Sequence, residues 1–167
     1  MNQSFALSCV IIDQTFNDNY QSLFNKVYSG KIRLTHKLSI ERVIAGNMHM
    51  GMGHSLMGTI NEGTLIFDIY MYSQDDVLEK LSANAKVLTL FIDHEQGIYI
   101  FSLYENGKKL RDTYSDEEVR EVGEPLEAEI TSSHPLMAIE KLVKQLTGTE
   151  LSELDKYHYY AYESETF

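Results

Sequence analysis

Two acidic clusters follow the ends of apolar, β-branched runs. Asp13 closes the run Ala6 to Ile12, and Asp93-His94-Glu95 closes the run Lys86 to Ile92. Carboxylates flanking one imidazole suit a hard divalent cation or acid–base catalysis, because oxygen ligands and a group titrating near neutrality converge there. Were the two runs parallel strands of an open sheet, their carboxyl ends would coincide, where such sheets place ligands. Asp13, Asp93, His94 and Glu95 are therefore the candidate catalytic residues. Asp93-His94-Glu95-Gln96-Gly97 is also an ordinary polar turn between strands, which is the preferred reading of that segment.

Other chemistry finds weaker anchors. Gly46 to Gly58 holds Met48, Met50, Met52 and Met57 with His49 and His54, a soft donor set that suits Cu(I). On a strand, however, Met48, Met50 and Met52 share one face and His49 points away, so no metal is expected there. Gly53 and Gly58 have the spacing of phosphate-loop glycines, but Thr59 stands where the lysine is needed. Gly51 and Gly53 begin a dinucleotide fingerprint that Leu56 breaks. Cys9 lies inside an apolar run and reads as a small hydrophobe, and no Gly-x-Ser-x-Gly elbow occurs. No cofactor is expected.

The elements that would position these residues are legible from periodicity. Ala6 to Ile12 reads as a buried strand. Tyr20, Leu23, Phe24, Val27 and Tyr28 fall on one helical face, with Asn17 or Asp18 as cap and Gly30 as stop. Leu38 to Ile44 suggests a short helix, with Lys31 to Lys37 before it equally readable as a strand. Thr64 to Tyr72 reads as a strand, and Ser73 with Asp76 as a capping box for a helix carrying Val77, Leu78 and Leu81. Lys86 to Ile92, Ile98 to Tyr104 and Lys108 to Tyr114 form a meander whose second turn is Asn106-Gly107, a strong hairpin signal. Glu118 to Val122 would add a further strand. Ser133 would cap a last helix with Pro135 in its first turn, Ile139, Leu142 and Val143 inward, and Gly148 as stop. Tyr157, Tyr159 and Tyr160 lie in an extended tail and would offer a contact surface.

At 167 residues, with 43% apolar residues, 2 Pro and 1 Cys, the chain fits one domain with a real core and no disulfide. The expected fold class is α+β: one domain over residues 1–167, a mixed, mostly antiparallel sheet with helices packed on it. Ala6-Leu7-Ser8 before Cys9 imitates a lipoprotein signal but has no basic residue ahead of it, so a cytoplasmic protein is expected.

Charge narrows the partners. The net charge is −11, and residues 1–60 carry +2, leaving −13 for the rest. The densest acid runs from Asp112 to Glu129, where eight carboxylates face only Arg120. Such a face repels phosphate backbones and anionic lipid, which excludes nucleic acid and membrane as expected partners and leaves a basic protein. Glu117, Glu118 and Glu121 are the candidate partner-binding residues. A negative coat that merely keeps the protein soluble is the plainer explanation of the same charge.

The stretch Ile98 to Arg111, with its aromatic strand, Asn106-Gly107 turn and Arg111, followed by Gly123-Glu124-Pro125-Leu126-Glu127-Ala128-Glu129, resembles a pattern found in uncharacterised bacterial proteins of unknown function. Some of those lie near toxin and immunity systems. The resemblance covers about a fifth of the chain and implies no catalytic residue. Physically, the segment asks for a hairpin, an Arg111 that meets Glu124 or Glu129, and a turn at Pro125. The expected function is a non-enzymatic bacterial protein-binding domain, in its most concrete form an immunity-like inhibitor of a basic toxin. The alternative is a metal-dependent enzyme or small-ligand binder using the Asp13 and Asp93 edge.

Overall fold

The computed structural model describes residues 6–16, 19–27, 32–39, 54–67, 74–115, 118 and 120–164. Its strands are β1 (Ala6–Ile12), β2 (Ile32–Ser39), β3 (His54–Ile60), β4 (Gly63–Phe67), β5 (Lys86–Asp93), β6 (Ile98–Glu105), β7 (Lys108–Asp112) and β8 (His158–Ser164). They form one sheet in the order β2-β8-β3-β4-β1-β5-β6-β7, and every pairing between these strands is antiparallel. Helices α1 (Tyr20–Val27), α2 (Asp75–Leu81), α3 (Glu127–Ile130) and α4 (Pro135–Thr147) pack on it, giving a single α+β domain.

Strand alternation divides the core in two. Leu7, Cys9 and Ile11 of β1 join Leu88, Leu90 and Ile92 of β5 and Phe101 and Leu103 of β6 under α4, whose Ile139, Leu142, Val143 and Leu146 supply the covering stripe. Val10, Ile12, Val87 and Tyr104 point to the other face, beneath Leu23 and Phe24 of α1 and Val77, Leu78 and Leu81 of α2. Both faces of the central strands are largely buried, which is why β1 and β5 read as near-continuous apolar runs, interrupted only by Ser8 and Thr89.

Local chemistry sets the boundaries. Pro135 opens α4 at its first turn, and Gly148, at φ 70°, closes it in the left-handed region. Asn106 and Gly107, at φ 54° and 72°, make the β6–β7 hairpin turn. Three expectations are corrected at boundaries. The cap of α4 is His134, whose ring Nδ1 accepts from Leu136 N, while the Ser133 hydroxyl donates to Met137 Sδ. The cap of α2 is Gln74, with no side-chain capping bond, and Ser73 lies outside the described residues. Glu118 to Val122 contributes a single bridge, Asp112 with Val122, in place of a strand.

The stretch with two readings forms strand β2 at Ile32–Ser39, and residues 40–53 lie outside the described residues along with most of the methionine-rich segment. Of that segment, His54, Ser55, Leu56, Met57 and Gly58 sit in β3. The tyrosine tail is corrected most. It forms β8, an interior strand between β2 and β3, with Tyr159 fully buried and its hydroxyl donating to Leu154 O at 2.9 Å. Gly58 is what admits that ring: a Cβ there would lie 2.7 Å from Tyr159 Cδ1 and 2.6 Å from His158 O.

Candidate functional site

The acidic strand-end cluster is not assembled. Because β1 and β5 are antiparallel, with Ala6 opposite Asp93 and Ile12 opposite Val87, Asp13 sits beside Lys86 at one edge and Asp93 at the other. Seven steps of strand separate the two ends, about 24 Å at ~3.4 Å per residue. Each carboxylate has a structural task. Asp13 Oδ1 accepts from Lys86 N at 2.7 Å, and Asp93 Oδ1 accepts from Glu95 N and Gln96 N at 3.0 and 3.1 Å, closing the β5–β6 turn. His94 Nδ1 lies 3.1 Å from the Tyr99 hydroxyl, and Glu95 is exposed at the turn. Asp93, His94 and Glu95 therefore share a turn, and Asp13 does not join them. Among the described residues no group of three or more His, Cys, Asp or Glu is placed to hold a metal ion.

The concavity lies instead where the sheet's β7 edge meets the start of α4. It is a cleft of about 290 Å³ lined by Tyr99, Phe101, Arg111, Thr113, Glu121, Glu129, Ser132, Ser133, His134, Pro135 and Ala138. A β-bulge builds it. Lys109 pairs with Tyr104 and Arg111 with Leu103, so two steps along β7 match one along β6. The extra residue turns Lys109 toward the Tyr104 ring, 5.5 Å from its centroid, and sends Arg111 to the opposite face, under α3 and α4. There Arg111 is buried, with its side chain 4% exposed.

Its guanidinium is fully committed. Nε donates to Glu129 Oε2 at 3.0 Å, Nη1 to the carbonyls of Val122 and Gly123 at 3.3 and 3.1 Å, and Nη2 to Glu129 Oε1 at 2.7 Å and Glu121 Oε2 at 2.8 Å. The five N–H groups that an arginine carries are thus spent on five protein acceptors. Hydrogen bonding to Glu129 holds Arg111 even more firmly protonated than usual. Burial alone would raise the Glu129 carboxyl, but the Arg111 bonds and the Leu126 N–H, 2.7 Å away, hold it below the ordinary glutamate value. Of the two carboxylates expected to meet Arg111, Glu129 does so and Glu124 is exposed.

Arg111 thereby fastens the chain that returns along the edge of the sheet. Asp112 and Val122 exchange backbone bonds at 3.0 and 3.1 Å. Thr113 clamps Phe101, donating its N–H and hydroxyl to Phe101 O and accepting from Phe101 N at 2.9 Å. Gly123, at φ 79°, lies so close to the bulge that a Cβ would fall 1.9 Å from Leu110 O. Opposite this wall, the rings of Tyr99 and His134 meet edge to face at 4.9 Å. Tyr99 shares a strand face with Phe101 and Leu103 and reads from sequence as core, but it is half-buried and lines the cleft; His134 was not singled out, and its one signal was a histidine just before the proline that opens α4.

Of the candidate partner-binding residues, Glu118 and Glu121 are exposed, and Glu117 lies outside the described residues. Glu121 does double duty, since its side chain is 51% exposed yet bonds buried Arg111. Among the described residues no helix is long and apolar enough to cross a membrane. Comparison with known protein families, with curated proteins and with solved structures gives no match for this chain.

Proposed function

We propose that the protein is a non-enzymatic, bacterial, cytoplasmic binding domain that engages a basic protein partner through the β7 edge and the acidic segment fastened to it, as an immunity-like inhibitor of a basic toxin would. One observation carries the reading. Among the described residues the exposed large hydrophobics are Leu110, Tyr114, Val122, Ile130 and Met137: Tyr114 and Val122 lie within the acidic run Asp112 to Glu129, Leu110 and Ile130 flank it, and Met137 follows in α4. Exposed apolar residues beside like charge suit a recognition surface, in which a partner would bury them and the charge would rim them. The charge would steer encounter with a basic partner and the apolar residues would hold it.

The test is co-expression with basic toxin domains encoded beside its gene, read as restored growth, followed by association kinetics over a range of ionic strength. Rescue, with an association rate that falls steeply with salt and drops on changing Glu117 and Glu118 to Gln, is the expected result. An association rate indifferent to salt and to that double change would reduce the acid to a solubilising coat. Glu121→Gln belongs in a separate variant, because it also touches the Arg111 anchor.

A further inference from the structure

The donors and acceptors around the cleft are unevenly committed. Arg111 has no N–H left to offer an anion. The hydroxyl protons of three lining residues are spent as well: Ser132 donates to Ala128 O at 2.6 Å, Ser133 to Met137 Sδ at 3.3 Å, and Thr113 to Phe101 O at 3.1 Å, while the Tyr99 hydroxyl lies 3.1 Å from His94 Nδ1. What these groups can still present is lone pairs. Glu121 adds a carboxylate oxygen, Oε1, to which no described residue donates, and with Glu129 it outweighs Arg111 by one negative charge. Between these acceptors the lining is apolar or aromatic, Tyr99, Phe101, Pro135 and Ala138, with one ring donor, the Nε2–H of His134, whose Nδ1 accepts from Leu136 N. A ligand suited to this cleft is cationic, rich in donors, and carried on an apolar stem.

We propose that the cleft receives an arginine side chain of the protein partner. The planar guanidinium supplies five N–H donors for dispersed oxygen acceptors, its charge offsets the surplus carboxylate, and its flat face can lie against an aromatic ring, whereas a lysine ammonium has fewer donors and holds its water more strongly. The three-methylene stem would occupy the apolar part of the lining. This deepens the reading of the acidic edge as a protein-binding surface and rests on it, but its test needs no partner.

The probe is the peptide acetyl-Gly-Arg-Gly-amide, titrated to millimolar concentration and followed by NMR at the amides of Thr113, Ser133 and His134. Its citrulline counterpart has the same shape without the charge, and its lysine counterpart has the charge without the plane. The arginine peptide is expected to move those amides and the citrulline peptide to leave them in place. Glu121→Gln, which keeps an acceptor for Arg111, should weaken binding about tenfold, as loss of one charge-assisted bond does. Ser133→Leu, which puts a branched apolar group on the lining, should abolish it. Equal shifts from citrulline, tighter binding of lysine, an unaffected Glu121→Gln variant, or no shift at all would each overturn the assignment. A flat titration beside salt-sensitive association with a partner would remove the arginine pocket and leave the acidic edge standing. Peptide binding beside salt-insensitive association would do the reverse.

Discussion

Changing Gly123 to Ala tests the architecture of the cleft at its tightest point. The added methyl would be built 1.9 Å from Leu110 O and 3.0 Å from Leu110 C, both backbone atoms of the bulge, so no side chain can swing aside to admit it. The φ of 79° adds about 1 kcal/mol for placing an alanine in the left-handed region. Relief requires residues 122–124 to move away from β7, which takes the Val122 and Gly123 carbonyls from Arg111 Nη1. Leaving part of a buried guanidinium unsatisfied costs a further ~1–3 kcal/mol. The expected loss is about 2–4 kcal/mol, or roughly 5–15 °C in Tm for a domain of this size. Urea unfolding would measure the total. Hydrogen exchange would locate it: the amides of Asp112 and Val122, which face each other across the bridge, should lose protection while those of β1 and β5 keep theirs. A loss under ~1 kcal/mol with Val122 protection unchanged would show that the close approach of Gly123 to the bulge is not what holds the segment.

Two further outcomes follow from single groups. Glu129, held below the ordinary glutamate value while folded, contributes stability that is present above the unfolded value near 4.5 and lost as pH falls through the folded one. Glu129→Gln should therefore flatten the acid limb of a stability–pH profile between pH 5 and lower values, and an unchanged limb would contradict the pairing. Cys9 is enclosed in the core and burial pushes its thiol far up, so a thiol reagent should modify it only at the rate of unfolding; rapid labelling of the native protein would refute that enclosure.

Much of the scaffold was legible because local signals and tertiary packing agree. Ile139, Leu142 and Val143 of α4 are buried as their spacing requires, and Asn106-Gly107 turns the hairpin as its type requires. Tyr157 to Tyr160 was misread as a surface because aromatic content does not reveal strand order, and only long-range pairing places β8 between β2 and β3. The strand-end cluster failed for a related reason: an apolar run has the same appearance in a parallel or an antiparallel partner, and direction alone decides whether Asp13 meets Asp93. The cleft was half visible. The need of Arg111 for a carboxylate could be read from composition, but the bulge that turns it under α4 is a mismatch of register between two strands and leaves no mark in either.

The interior position of β8 has a consequence for how the chain is made. On the ribosome β1, β3 and β4 emerge early, and β5, β6, β7 and α4 can dock on β1 as they follow. Until residues 158–164 have cleared the exit tunnel, β3 lacks its second neighbour and β2 has nothing to pair with in the final order. A nascent chain halted before Tyr157 would therefore carry an open sheet edge along β3, with the space that Gly58 reserves for Tyr159 unfilled. Unpaired edges of that kind recruit other chains. Late closure makes the interval before β8 emerges the time at which this sheet is most exposed to aggregation, and the time at which a chaperone would have most to protect.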